Sequence, residues 1–138
     1  MILHHVGVVT RDYSRAIAPF VALGRLALVD DRRVPEWHCR CRLYELGVSY
    51  TYFEVVEPYA GPLLTWMESR DGEMHHAAFR VPSIIYAMNQ LRDRGMRLVA
   101  PEPVVGVLGL RVNFIHPSVS GALIELVEVP DGPLRDAR

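Results

Sequence analysis

Hydrophobic and polar positions follow the same order in the two halves of the chain. Apolar segments near residues 2–9 and 74–81 are each followed by an amphipathic stretch with helical spacing, near 13–23 and 83–94. Three further segments of strand character complete each half. These strands are predicted near 25–30, 37–46 and 49–57, and near 96–99, 110–116 and 121–128. Each half is therefore predicted to be a β-α-β-β-β module.

The ends of the two predicted helices carry residues that are typical of such ends. Asp12 and Ser83 are suited to the N-cap position, because their side chains accept hydrogen bonds from the first turn. Gly24 and Gly95 stand where a helix C-terminal glycine belongs. Pro19 removes one backbone hydrogen bond, so we expect it to kink or shorten the first helix.

A single offset of 71 residues, the distance from His4 to His75, aligns the two halves without a gap. At this offset a His-His strand, a helix and a glutamate-bearing strand recur in one order, which indicates duplication. We predict an α+β fold in which two tandem βαβββ modules form curled mixed sheets around a cleft, all within a single domain. The predicted parts are module one at 1–58, a linker at 59–72, module two at 73–129 and a tail at 130–138.

Composition and charge are those of an ordinary globular protein. Of the 138 residues 50% are hydrophobic and 22% are charged, and the formal net charge of −1 gives no electrostatic reason to expect nucleic acid or an anionic membrane. No stretch approaches the roughly 18 apolar residues of a membrane span. The N-terminal residues also lack the basic-then-apolar pattern of a signal peptide. We expect a cytoplasmic protein that acts on a small molecule, without nucleic acid or membrane partners.

The two cysteines, Cys39 and Cys41, lie two residues apart in a predicted strand. They would share one face of that strand, too far apart for an unstrained mutual disulfide. Two reduced thiols fit a reducing compartment. We interpret both as small, half-buried strand residues, although a catalytic thiol is also compatible with the pattern.

Alternation along the strands places one glutamate of each half on an apolar face. Glu54 shares its face with Tyr52, and Glu125 shares its face with Leu123. A carboxylate in such surroundings needs a partner, because an unpaired buried charge is costly. For one glutamate taken alone, solvent exposure or pairing with a nearby arginine is the simpler interpretation.

The histidines change that interpretation because they recur at the same offset. His5 and His76 occupy equivalent positions, whereas His4 and His75 face the other way and are interpreted as packing or second-site residues. Two histidines and two glutamates at equivalent positions form a His₂Glu₂ set, which suits Co, Ni, Zn, Mn or Mg. Two further coordination positions would stay open for water or substrate. The cleft is therefore predicted to bind a metal.

At these residues the chain resembles the vicinal oxygen chelate superfamily (glyoxalase/bleomycin-resistance/dioxygenase), and within it most closely the methylmalonyl-CoA epimerase family. The resemblance spans roughly residues 3–129, through "LHHVGVV", "FEVVEP", "GEMHHAAFRV", "LRDRGMRLV", "EPVVG", "VNFIHP" and "GALIELVE". By this resemblance the metal ligands fall on His5, Glu54, His76 and Glu125. The resemblance also implies a homodimer.

The resemblance implies a metal-dependent isomerase, an epimerase that removes the α-proton of a CoA-type thioester. One divalent ion per chain would supply Lewis-acid stabilisation of the resulting enolate. Glu125 is expected to act as one base. Counted from Pro35-Glu36, the position of the second carboxylate base falls on Cys41, and Glu36 and Glu45 are nearby candidates for the same role.

Some segments depart from the epimerase pattern and keep further functions open. The stretches "VVGVLGLR" and "YAGPLLTWMESR" are more apolar than that pattern, which indicates a bulkier, less charged substrate. A glyoxalase I-like lactoylglutathione lyase would use the same ligand set. The pattern is also compatible with a metal-free drug-binding protein, whose cleft would be lined by Trp37, Tyr50, Tyr52 and Trp66, and with a tailoring enzyme of secondary metabolism. The metal, the acyl group and the pathway stay open.

Overall fold

The computed structural model describes residues 1–47 and 50–130. Its strands are β1 Ile2–Val9, β2 Ala27–Val34, β3 Cys39–Glu45, β4 Tyr52–Pro58, β5 Met74–Val81, β6 Val104–Val105, β7 Arg111–Ile115 and β8 Ile124–Glu128. Its α-helices are α1 Tyr13–Ala22, α2 Gly61–Glu68, α3 Ile84–Asp93 and α4 Pro117–Ser120, and 3₁₀ turns occupy Pro35–Trp37 and Val107–Gly109. The α+β class and the tandem βαβββ order are confirmed.

Two predictions fall partly outside the described residues. Residue 49, where the last strand of module one was predicted to begin, lies outside them, and so do residues 131–138 of the predicted tail. None of the helices in the described part of the chain has both the length and the apolar character that crossing a membrane requires.

The chain divides into two compact units, one of residues 5–75 and the other of residues 1–4 with the chain from 76 onward. The strand order in the first is β2-β3-β4-β1, with β1 and β4 parallel and the other neighbours antiparallel. The strand order in the second is β6-β7-β8-β5, with β5 and β8 parallel and the other neighbours antiparallel. Each sheet is therefore mixed, with the same connectivity, as the internal repeat predicts. The exact module boundaries stay a prediction.

In the first unit α1 covers one face of the sheet. Buried strand residues pack there against half-buried neighbours: Val8, Tyr44, Phe53 and Val55 against Val6, Ala16, Ile17, Phe20, Leu26 and Leu46. The helix begins at a true N-cap, since Asp12 Oδ1 accepts a 3.0 Å hydrogen bond from Arg15 N. It continues past Pro19 for three residues and ends at Ala22, one residue before the predicted end.

In the second unit α3 packs in the same way, with Ile84 and Met88 buried against Leu126. Ser83 Oγ accepts a 3.3 Å hydrogen bond from Tyr86 N and caps the helix. Gly95 follows the helix with a φ of +73°, a conformation that glycine adopts without a steric penalty. The helix ends predicted from the sequence are confirmed at these positions.

The strand predicted at 96–99 is wrong. Only an isolated bridge between Leu98 and Ile115 forms there. The strand that follows α3 in this module is instead the short β6. Pro101 and Pro103 lie between the two and donate no backbone hydrogen bond, so a continuous ladder is interrupted. The loop is instead held by the buried Asn113 side chain, which bonds both the N–H and the carbonyl of Ala100.

The strand predicted at 25–30 is longer than its hydrophobic pattern indicates and runs to Val34. A register shift between Leu28 and Asp30 lets it follow β3 past its apolar part. Ion pairs join its polar residues, including one of 2.7 Å between Asp31 and Arg40. The charged residues at 30–33 hid the extension of this edge strand from the sequence analysis.

Candidate metal centre

His5 and Glu54 lie on the neighbouring parallel strands β1 and β4 of the first unit. The register sets His5 beside Tyr52 and Gly7 beside Glu54, so the two side chains project from one face. This face is opposite to the one covered by α1. His5 Nε2 and Glu54 Oε2 are 3.4 Å apart, and the side chains are 0% and 6% exposed. The structure therefore brings the two predicted ligands of this unit together.

His76 and Glu125 form the equivalent pair of the second unit, on β5 and β8. His76 Nε2 and Glu125 Oε2 are 3.1 Å apart, and the side chains are 2% and 5% exposed. Phe114 of β7 lies directly across from Glu125 of β8, and its ring forms a T-shaped contact with the His76 ring, with 5.3 Å between ring centres. The Phe114 ring therefore packs beside this buried pair.

The histidines next to these pairs project from the opposite faces of the same strands, because successive strand residues alternate. His4 is buried. His75 is half-buried, and its ring packs edge-on against Trp66 of α2 with 5.2 Å between ring centres. Packing against α2 thus accounts for the position of the His75 ring.

Each His–Glu pair fits two adjacent ligands of one metal ion. At metal–ligand distances of about 2.1 Å, adjacent ligand atoms of an octahedral or tetrahedral site are about 3.0–3.4 Å apart. The observed separations of 3.4 Å and 3.1 Å agree with this. A histidine–carboxylate hydrogen bond has a similar length, so burial is the stronger argument. In each unit a buried carboxylate lies beside a buried imidazole, and a divalent cation is a group that both of these side chains bind.

The three candidates for the second base lie in different surroundings. Cys41 is buried on β3 and lies directly across from Val56, so it shares the face that carries Glu54. Glu45 is half-buried at the other end of the same face. Glu36 is exposed on the 3₁₀ turn before β3, where strand alternation does not apply. Cys41 is the most buried of the three, and it lies on the face that carries Glu54.

An ion pair on this face was missed by the sequence analysis. Asp30 lies across from Leu43, and Arg32 lies across from Cys41, so both side chains share the Glu54 face. Arg32 Nε donates to Asp30 Oδ2 at 2.6 Å, and Arg32 Nη2 donates to Asp30 Oδ1 at 3.2 Å. The sequence "VDDRRV" could have predicted this pair. In a strand, alternate residues share a face, so Asp30 and Arg32 lie on the same side.

The four aromatic residues proposed for a drug-binding cleft have different settings. Tyr52 is buried on the face of Glu54, next to His5. Trp66 lies on α2, where it contacts His75. Trp37 and Tyr50 are half-buried in the 3₁₀ turn and in the loop before β4. Tyr52 is the member of this group that strand pairing sets directly beside a predicted ligand.

Comparison with characterised proteins gives consistent relatives. The mitochondrial methylmalonyl-CoA epimerase of Bos taurus is 28% identical over 128 residues, which are 90% of this chain and 72% of that protein. The corresponding enzyme of Dictyostelium discoideum is 31% identical over 87 residues, which are 60% of this chain and 52% of that protein. The match therefore spans about half the length of the Dictyostelium relative.

A solved structure and a family model extend the comparison across the chain. The crystal structure of methylmalonyl-CoA epimerase from Mycobacterium tuberculosis is 30% identical, with a TM-score of 0.83 and coverage of 99% of this chain and 91% of that one. The model of the Glyoxalase/Bleomycin resistance protein/Dioxygenase superfamily matches residues 4–114. The resemblance inferred from the sequence is thus confirmed, and the chain belongs to the glyoxalase/bleomycin resistance protein/dioxygenase superfamily.

Proposed function

We propose that this protein is a metal-dependent epimerase that inverts the α-carbon of a CoA-type thioester, with methylmalonyl-CoA as the first candidate substrate. The observation that carries the proposal is the repeated buried His–Glu pair, with separations of 3.4 Å in one unit and 3.1 Å in the other. The activity named for the relatives above supports the thioester class. A homodimer and a cytoplasmic location remain predictions.

His5, Glu54, His76 and Glu125 are proposed to hold one divalent ion together. All four side chains are buried, and two nitrogen and two oxygen donors suit Co, Ni, Zn, Mn or Mg. When bound, the ion supplies Lewis-acid stabilisation for the negative charge that develops on the substrate oxygens. The four side chains would hold the ion through two imidazole nitrogens and two carboxylate oxygens.

Glu125 is proposed to accept the α-proton of one epimer. Its carboxylate is within 3.1 Å of His76 Nε2, and Phe114 lies across from it, so its position is defined by packed neighbours. A carboxylate held this way reaches one proton position and excludes water that would compete for the proton. The proton returns from Glu125 when the reaction runs in the opposite direction.

Cys41 is proposed to transfer a proton to and from the opposite face of the same α-carbon. Support comes from its position counted from Pro35-Glu36 and from its burial on the face of Glu54. A thiol can donate its proton to the α-carbon as a carboxyl group does, and the resulting thiolate can take a proton back. Glu36 is less suited, because it is exposed on the preceding turn.

The test is exchange of the α-proton with solvent deuterium. Purified protein, reconstituted in turn with each of the five metals, is incubated with methylmalonyl-CoA in deuterated water, and deuterium at the α-carbon is followed by mass spectrometry. We expect enzyme-dependent incorporation together with interconversion of the two epimers. Turnover of the glutathione hemithioacetal of methylglyoxal, without exchange on the thioester, would contradict the epimerase and support the lyase that uses the same ligand set.

A matched pair of variants connects this reaction to the site. His76→Ala removes a proposed ligand, and His75→Ala removes its neighbour on the opposite face of β5. We expect His76→Ala to lower the exchange rate at least about 100-fold, the scale of a lost catalytic group. His75→Ala should stay within about threefold of the wild type, since it is expected to affect packing only. Equal losses in both folded variants would contradict the assignment.

A further inference from the structure

The two cysteines form a close pair on β3. Their sulfur atoms are 3.7 Å apart, and the residues are 1% and 5% exposed. Cys39 and Cys41 are alternate residues of one strand, so both side chains project from the same face. The sequence predicted this shared face but not the contact between the sulfurs.

The separation suits a bridging atom better than a disulfide. Alternate residues of a strand have Cα atoms about 6.6–6.8 Å apart, at the upper end of the range that disulfides span, and closing the sulfurs to about 2.05 Å would strain the strand. Two sulfurs bonded at about 2.3 Å to one shared atom are about 3.3–3.8 Å apart, the lower value for a pyramidal atom and the upper for a tetrahedral one. The observed 3.7 Å is a direct contact between the two thiols, and a shared soft atom needs only a small approach of the sulfurs from it.

We propose that Cys39 and Cys41 form a dithiol site for a thiophilic element, of which singly substituted arsenic(III) is the best-matched form. Within the described residues, no group of three or more histidine, cysteine or acidic ligands includes either thiol. A species that brings its own third substituent and needs only two sulfurs therefore fits better than a four-coordinate ion. Soft elements prefer thiolate ligands over imidazole and carboxylate, which separates this site chemically from the four proposed metal ligands.

The binding reaction is balanced without an oxidant. Phenylarsine oxide reacts with the two thiols, two arsenic–sulfur bonds form, and the arsenic–oxygen bond breaks. The two thiol protons leave with the oxygen as one water molecule, and arsenic stays in the +3 state. The phenyl carbon remains as the third substituent of arsenic, so the protein supplies the two sulfurs alone.

The surroundings of the pair provide a route to it. β2 is the edge strand beside β3, and Arg32 lies directly across from Cys41. The Arg32 side chain is 31% exposed and is held on this face by the ion pair with Asp30. Movement of that side chain is the proposed route by which a small reagent reaches the sulfurs.

The site has a consequence for activity that rests on the proposed function. Cys41 is the proposed second proton-transfer residue, so an arsenical bound to both sulfurs would remove its proton-transfer capacity. Cys39 has no proposed part in the chemistry. Cys39→Ala protein should therefore keep its epimer-interconverting activity and lose the sensitivity of that activity to the arsenical.

The experiment is intact-mass analysis of the full chain after treatment with phenylarsine oxide and a wash with excess monothiol. We expect the wild type to retain one phenylarsenic group, which a dithiol then removes. Cys39→Ala, Cys39→Ser and Cys41→Ala should each retain at least about 100-fold less, because the second sulfur acts at high effective concentration. Circular dichroism confirms that each variant is folded.

A double variant separates this site from the proposed metal centre. His5→Ala, His76→Ala protein should retain the arsenical as the wild type does. Loss of the adduct during the monothiol wash of wild-type protein, or equal retention by the single-cysteine variants, would overturn the dithiol site. Retention by a wild type that exchanges no thioester proton would support the dithiol site and count against the proposed function alone.

Discussion

At the scale of single residues, strand alternation accounts for most of the site that could be predicted. Each proposed ligand lies on a regular strand, where the alternation of side chains determines the face it occupies: His5, Glu54, His76 and Glu125. Alternation does not extend to Glu36, which lies on a 3₁₀ turn. Alternation predicts the face on which Cys41 lies. It does not predict the distance between the Cys41 and Cys39 sulfurs, because that distance depends on side-chain rotamers as well as on the backbone.

The proposed ligands should tolerate substitution less than their neighbours. His5→Ala and Glu125→Gln should each abolish α-proton exchange, because each removes a buried group of the site. His4→Ala, on the opposite face of β1, should retain exchange, although burial of His4 predicts some loss of stability. Exchange rates are measured on protein shown to be folded at the assay temperature. Full activity of the His5→Ala protein would exclude the metal assignment.

Substitution of Cys41 and Glu36 tests the identity of the second base. We expect Cys41→Ala to lower interconversion of the two epimers about 100-fold or more, the usual effect of losing a positioned acid or base. Glu36→Gln should change it by less than about twofold, because Glu36 is exposed on the turn before β3. Rates are compared at saturating thioester in deuterated water. The opposite ranking would assign the role to Glu36.

At the scale of elements, the helices and most strands follow from local chemistry. Asp12 and Ser83 cap the two long helices as predicted, because capping depends on neighbouring backbone groups. The predicted strand at 96–99 failed because proline spacing and the Asn113 side chain decide where the ladder forms. β2 was underestimated because ion pairs and a register shift extend it beyond its hydrophobic part.

One carboxylate joins two elements of the second unit and should contribute to stability. Glu128 accepts 2.8 Å hydrogen bonds from Ile84 N at the start of α3 and from Arg111 Nε of β7. We expect Glu128→Gln to lower the free energy of unfolding by about 1.5–3 kcal/mol, the range for hydrogen bonds to charged groups. Urea titration followed by circular dichroism measures this difference.

Glu57 provides the matched control, because it occupies the equivalent position in the first unit. Its carboxylate bonds Arg42 at 2.8 Å and its side chain is 38% exposed, compared with 14% for Glu128. Glu57→Gln should cost less than about 1 kcal/mol, as is usual for exposed ion pairs. A larger loss for Glu57→Gln than for Glu128→Gln would contradict the role given to the α3 contact.

The same carboxylate predicts a pH dependence of stability. Burial acts to raise the pKa of Glu128, but the hydrogen bonds from Ile84 N and Arg111, with the charge of Arg111, outweigh it and hold the pKa below its ordinary 4.5. Its stabilising contribution is therefore complete above about pH 4.5 and is lost as the pH falls through the lowered value. Unfolding curves of wild type and Glu128→Gln should converge in acid; a constant difference would contradict this.

At the scale of the whole molecule, duplication predicts what the two units have in common. Each contains a four-stranded mixed sheet of the same connectivity and one buried His–Glu pair. The substrate does not follow from this level, because one fold supports several reactions and the side chains around the centre select among them. The apolar stretches that depart from the epimerase pattern therefore require direct assays with thioesters of different acyl groups.

The central proposal is that two His–Glu pairs share one metal ion, and metal content tests it directly. Elemental mass spectrometry of tag-free protein is performed on the wild type, His5→Ala and His76→Ala after reconstitution and removal of loosely bound ions. We predict about one divalent ion per wild-type chain and loss of that ion in either variant. One intact His–Glu pair supplies only half of the four proposed ligands. Two ions per chain, or an ion retained at wild-type stoichiometry in either variant, would contradict a shared centre.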